Sequence, residues 1–205
     1  MDGMKVAIKL SLGFSLILLF LLIGSYIGLT GMSQIQDRLE DIVNDKNVKV
    51  INALKMQSLQ LEVSSHIRNI IMLDDASEMR QEEAELRKSR SEYDNLFAQL
   101  DKTIVTSEGR QLLAQVKSQA EIAREANNQV ISMGLENRNQ DATQYLLTHA
   151  APESLKWANL LGALADQQQK ISVSSSVQAG EAYAQSKLVL FSLSGLAVLL
   201  GAVLA

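Results

Sequence analysis

The sequence has no cysteine, one proline (Pro152) and only 4% aromatic residues in 205 positions. Without cysteine there is no disulfide, no thiolate metal ligand and no thiol nucleophile. Scarce proline and aromatics, beside abundant Ala, Leu, Gln, Glu and Ser, favour helices over sheets. The net charge of -4 is small and the charges are scattered. No Lys/Arg cluster is interleaved with aromatics, so no nucleic-acid partner is expected. His66 and His149 are the only histidines, without the Glu-x-x-His pair of a di-iron bundle, so neither a metal nor a cofactor is expected. With no nucleophile–base pair and no phosphate loop, no catalytic residue stands out and an enzyme is not expected.

What the chain does have is uncharged length at both ends. Residues 10–31 (LSLGFSLILLFLLIGSYIGLTG) carry no charge, enough for a first membrane-spanning helix of about 20 residues. A signal peptide would have a shorter apolar core and a small-residue cleavage site, so an uncleaved anchor is expected. A second uncharged run, residues 188–205, follows Lys187, and the sequence stops within it. That second span is expected to be truncated, with the chain the N-terminal part of something longer. Lys5 and Lys9 place residues 1–9 in the cytoplasm by the positive-inside rule, which puts residues 32–187 on the opposite, outer side of the membrane.

Between the spans the apolar periodicity is helical throughout. One stripe runs Ala53, Met56, Gln60, Val63, Ile67, Ile70 in alternating steps of three and four. Others run from Met79 to Ile104, from Leu113 to Val130, and from Trp157 to Ile171. Four such stripes with polar interruptions predict an all-α fold, an antiparallel up-down four-helix bundle flanked by two transmembrane helices. Asp75, with Glu78 three residues on, is the expected N-cap of helix two, and Thr106 or Ser107 that of helix three. Gly134 is the expected end of helix three, and Pro152 suits the first turn of helix four. Helix one, from Met32 to Asp74, spans about 42 residues or ~63 Å, and helix four about 35 residues or ~52 Å. Two long helices, each continuous with a span, suit a sensor and equally a stalk.

This order of parts resembles the sensory half of the methyl-accepting chemotaxis proteins with a four-helix-bundle ligand-binding domain. The resemblance covers the whole chain: the basic start, the first span, IRNIIMLDD ending helix one, TSEGRQLLAQV opening helix three, YLLTHAAPESLKWANLL leading into helix four, and the second span. It implies a chemotaxis receptor signalling through helix 4 to a cytoplasmic kinase and coupling protein, by way of a linker and signalling hairpin beyond Ala205. Similar sensor bundles occur on histidine kinases and cyclases, and a membrane-tethered helical adaptor without a ligand is a further reading.

Arg68 raises the functional question, because it sits among Ile67, Ile70, Ile71 and Met72. It lies ~100° around the helix from the Ile67 stripe, on a second apolar edge with Leu54, Leu61 and Met72. A helix with two apolar edges packs twice, within its bundle and against a second subunit, which predicts a homodimer with Arg68 at the seam. Arg68 either pairs with Glu83 or Asn127 and snorkels to water, or binds a carboxylate through its fork. At a similar depth the antiparallel helices bring Asn127, Asn128 and Trp157, while Tyr145, Thr148 and His149 lie on the approach to helix four. These seven are the candidate ligand-binding residues, for an organic or amino acid. In the resembled family, arginines at the distal end of helix one hold such carboxylates at the dimer seam. This chain departs from that pattern: Leu61 to Ile67 contains no arginine, and Glu153 after Pro152 is expected to repel a dicarboxylate. Arg124 lies about a turn deeper and is expected to be solvated.

Overall fold

The computed structural model describes residues 2–204, with the side chains of residues 2–7, 9, 203 and 204 outside that description. Lys5 and Lys9, on which the cytoplasmic placement of residues 1–9 rests, therefore carry side chains outside the described residues. The helices are α1 (Asp2–Asp41), α2 (Asn47–Met72), α3 (Ala76–Thr103), α4 (Ser107–Leu135), α5 (Asn139–Tyr145) and α6 (Ala151–Leu204). π-helical turns at Ile42–Lys46 and Leu146–Ala150 connect α1 to α2 and α5 to α6. Among the described residues there is no strand. Asp45–Ser172 form one compact unit, and the chain before Asp45 and after Ser172 forms another.

The first unit is the four-helix bundle, in which α2, α3 and α4 are helices one to three and α5 with α6 supplies the fourth. Its core follows the apolar stripes. Ala53, Met56, Gln60, Val63, Ile67 and Ile70 of α2 are all buried, as are Leu113, Val116, Ala120, Ala123, Asn127 and Val130 of α4. Trp157, Leu161, Leu164 and Gln168 of α6 complete the wall, while Ile171 is half-buried and its neighbour Ser172 is the buried residue. The stripe on α3 is looser, with Glu83 and Arg90 half-buried between Met79, Leu86 and Tyr93. Burying side chains of this size is worth about 1.5–3 kcal/mol each, which is what holds polar, surface-rich helices together.

Helix ends follow from side-chain chemistry. Asp75 caps α3, its carboxylate accepting from the backbone N–H groups of Ser77 (2.8 Å) and Glu78 (3.0 Å). The Glu78 and Ser77 amides hold that carboxyl below its usual range. Thr106, rather than Ser107, caps α4 by accepting from the Gly109 N–H at 3.3 Å. Gly109 is glycine for space, since a Cβ there would meet Ile104 Cγ2 at 2.6 Å and Thr106 Oγ1 at 2.7 Å.

One expected boundary is different. Gly134 does not end helix three; α4 runs on to Leu135, and Asn137 takes the left-handed conformation at φ 57°. Asparagine tolerates that region because its short amide bonds locally. Gly134 instead lets α2 approach closely, a Cβ there meeting Ile70 Cγ2 at 2.9 Å. Pro152 does lie in the first turn of α6, as expected, but that turn is not a free helix start. The helical path starts at Asn139 and Pro152 follows a π turn within it, where the Ala151 N–H bonds to the Leu146 carbonyl, five residues back. Proline has no N–H and its ring collides with the carbonyl four residues earlier; the wider turn accommodates both problems.

In the second unit, α1 and the end of α6 each carry a stretch long and apolar enough to cross a membrane. Large apolar side chains such as Leu22 and Phe191 are about two-thirds exposed there, as a lipid-facing surface requires. Small residues allow the two helices to meet closely: Gly28 faces Leu190, and Gly31 lies where a Cβ would be 3.0 Å from Ser186 Oγ.

Candidate functional site

The bundle contains a cavity of about 180 Å³ between α2 and the start of α6. Gln60, Leu61, Ser64, Ile67 and Arg68 of α2 line one side, Ser154 and Leu155 of α6 the other, with Leu146 and Asn127 closing the ends. Gln60 and Asn127 are 2% and 1% exposed, so their amides must find partners in the protein or in a ligand. They do so only in part. Gln60 Nε2 donates to Ser64 Oγ (3.1 Å) and to the Ser154 carbonyl (3.3 Å), and Ser154 Oγ donates to Asn127 Oδ1 (3.4 Å). Gln60 Oε1 and Asn127 Nδ2 have no partner among the described residues. Each such buried orphan costs about 1–3 kcal/mol.

Arg68 is exposed at the cavity's edge. Neither expected partner takes it: Glu83 pairs with Arg87 and Asn127 bonds to Ser154. The cavity is therefore lined by an arginine, two serines and two amide residues that between them keep one unmet donor and one unmet acceptor, with apolar side chains making up the rest of the wall. That arrangement suits a small molecule with one acidic end and a donor elsewhere.

The remaining candidates stand apart from this cavity. Trp157 is 1% exposed and belongs to the core; its Nε1 donates to Tyr93 Oη at 2.9 Å, with the rings edge-to-face at 5.0 Å. Asn128 faces α3, accepting from Arg90 Nη1 at 2.8 Å. Tyr145 packs on the distal core and stacks on His149 at 4.5 Å. Thr148 Oγ1 donates to the Gln144 carbonyl and lies 2.8 Å from His149 Nδ1, both residues being exposed. Of the seven candidates, Arg68 and Asn127 share the cavity.

Arg124 is not simply solvated. It forms a two-pronged bond with Asp94 (2.7 and 3.2 Å) and lies 5.2 Å above the Tyr93 ring and 5.8 Å from that of Trp157. Burial and the neighbouring Arg124 charge push Arg90 down to about 10, still protonated at neutral pH. Glu153, expected to repel a dicarboxylate, accepts from Lys156 and from Gln119 (each 2.7 Å) and does not line the cavity. Those bonds hold its carboxyl below the usual range, so the charge persists but is compensated. Across α2 from this cavity, His66 Nδ1 meets Glu82 Oε2 at 2.6 Å, tying α2 to α3.

Sequence reasoning missed Gln60, Ser64 and Ser154. A signal was present: Gln60 and Asn127 are polar residues on two buried stripes at one depth, and two such interruptions make a layer.

No curated protein matches the sequence. Residues 3–183, by contrast, match the family described as the four helix bundle sensory module for signal transduction. The match runs from ahead of the first span through the bundle and ends short of the second uncharged run, which begins at residue 188. The chain belongs to that family, the four-helix-bundle sensory modules of the methyl-accepting chemotaxis receptors.

Proposed function

We propose that this chain is the sensing part of a homodimeric inner-membrane chemoreceptor, non-catalytic itself, whose periplasmic bundle binds a small carboxylate in the cavity bounded by Arg68 and Asn127. The observation that carries the reading is Asn127, buried and with its Nδ2 unpartnered among the described residues, lining the same cavity as Arg68, which has no bonded acid among them. Arg68 supplies the charge for a carboxylate, Asn127 Nδ2 a second donor, and Gln60 Oε1 an acceptor for a hydroxyl or ammonium group. At about 180 Å³ the cavity is below the ~300–1,000 Å³ typical of drug-sized ligands, so the ligand is small. The exposed apolar edge of α2, with Ile51, Leu54, Leu61 and Met72 each at least half exposed, is the surface for the second subunit.

The ligand touches both α2 and α6, so it signals by binding one packing of these helices better than another. A small displacement of α6 then reaches the second span and, beyond it, a cytoplasmic chemotaxis kinase and coupling protein. The test is thermal unfolding of the chain in detergent micelles with a panel of small carboxylic and amino acids. A ligand at about 100 times its Kd stabilises by about 2.7 kcal/mol. Arg68→Ala should remove that shift while leaving the ligand-free Tm close to that of the wild type. A shift that survives Arg68→Ala places the ligand elsewhere; no shift with any acid favours a helical adaptor or sensing through another protein.

A further inference from the structure

A larger cavity, about 370 Å³, lies in the membrane unit between α1 and α6. Its walls are Gly28 and Met32 of α1 with Tyr183, Lys187, Leu190 and Phe191 of α6. These residues straddle the bundle-side boundary of both uncharged runs, since the first ends at residue 31 and the second begins at residue 188. The chemistry is graded along the groove. Tyr183 and Lys187 provide a phenol and a cation at one end, whereas Gly28, Leu190 and Phe191 are apolar. Ser194 on the same wall donates its hydroxyl to the Leu190 carbonyl at 2.9 Å, so it presents no free donor. Lys187 has no carboxylate partner among the described residues, and its Nζ lies 5.9 Å from the Phe191 ring. No Asp or Glu lines the groove.

We infer that this groove binds an anionic glycerophospholipid of the bundle-side leaflet, the headgroup phosphate on Lys187 and one acyl chain along Gly28, Leu190 and Phe191. Charge complementarity selects this occupant. A second copy of the chain docking through the same face would bring another lysine to an apolar seam with no acid to offset either. A phosphate supplies the missing charge, and the level of Lys187 is where headgroups lie. The inference rests on the two helices crossing a bilayer.

The test is lipid retention. The chain is reconstituted in nanodiscs of mixed phosphatidylglycerol and phosphatidylcholine, released, and the lipids kept are counted by native mass spectrometry. The wild type should keep phosphatidylglycerol about fivefold over phosphatidylcholine, and Lys187→Gln should bring that ratio close to one. Lys170→Gln, in the bundle, should leave the preference intact. At Gly28 a Cβ would meet Leu190 Cδ2 at an ordinary 3.6 Å, so Gly28→Leu should fill the groove and reduce retention of both lipids. A phosphatidylglycerol preference that persists in Lys187→Gln overturns the assignment. The natural absence of cysteine permits a second check, because Leu190→Cys should stay uncrosslinked. Rapid disulfide formation there would overturn the assignment in favour of a second copy in the groove. A chain that remains in solution once detergent is removed overturns the bilayer reading and this one together.

Discussion

Two polar layers of the bundle core differ in how completely they are satisfied. In the Tyr93–Trp157 layer the aromatic tips are paired: the indole N–H bonds to the phenol, and Arg124 covers both rings while Asp94 holds its two terminal guanidinium nitrogens, leaving Arg124 Nε without a partner among the described residues. In the Gln60–Asn127 layer the amides are as deeply buried, yet one donor and one acceptor are left over beside a cavity. A satisfied layer fixes a packing, whereas an unsatisfied one costs stability that a ligand can restore. Core position therefore does not separate structural from functional polar residues; an unmet donor and acceptor on residues that line a cavity do.

The sharpest way to break this comparison is to truncate each layer and compare the losses by chemical denaturation in micelles. Trp157→Ala should cost about 3–5 kcal/mol, because it opens a large cavity in the core. Tyr93→Phe should cost about 1–3 kcal/mol by stranding the buried Trp157 N–H. Asn127→Leu removes an amide that is already half orphaned, so it should change stability by less than about 1 kcal/mol while abolishing any carboxylate-induced shift. If Asn127→Leu destabilises as much as Trp157→Ala, the two layers are alike and the distinction fails.

A smaller effect is expected from pH. The hydrogen bond from His66 holds the Glu82 carboxyl below the ordinary glutamate range, and Asn69 adds to it. A depressed folded pKa contributes stability that is present above the unfolded value of about 4.3 and lost as pH falls through the folded one. The wild-type Tm should therefore fall through that acid window, and Glu82→Gln should flatten the fall slightly. An unchanged acid limb in Glu82→Gln would assign the fall to other carboxylates.

Much of the bundle was legible because helical burial repeats with a period the sequence carries openly. The α2 and α4 stripes needed no tertiary information, and Asp75 and Thr106 announce their caps within four residues. The Gln60 wall, the Arg124–Asp94 pair and the Glu153–Lys156–Gln119 contacts were not legible. Each depends on which neighbouring helix meets a given face and at what height, and no local pattern encodes that. Asn137 was obscured for a different reason: Gly134 offered a more usual helix end, and its packing against Ile70 took precedence.

The π turn before Pro152 has a consequence for how α5 is oriented. One additional residue in a helical turn retards the rotation of everything upstream by ~100°, so Leu146–Ala150 act as a phase shift in the helix. Ala142 and Tyr145 reach the distal core only with that offset in place. Deleting a single residue there, Leu147 for instance, would restore the ordinary pitch and swing Ala142 out to solvent. The same side chains would then clothe a different face, without any change in what α5 is made of.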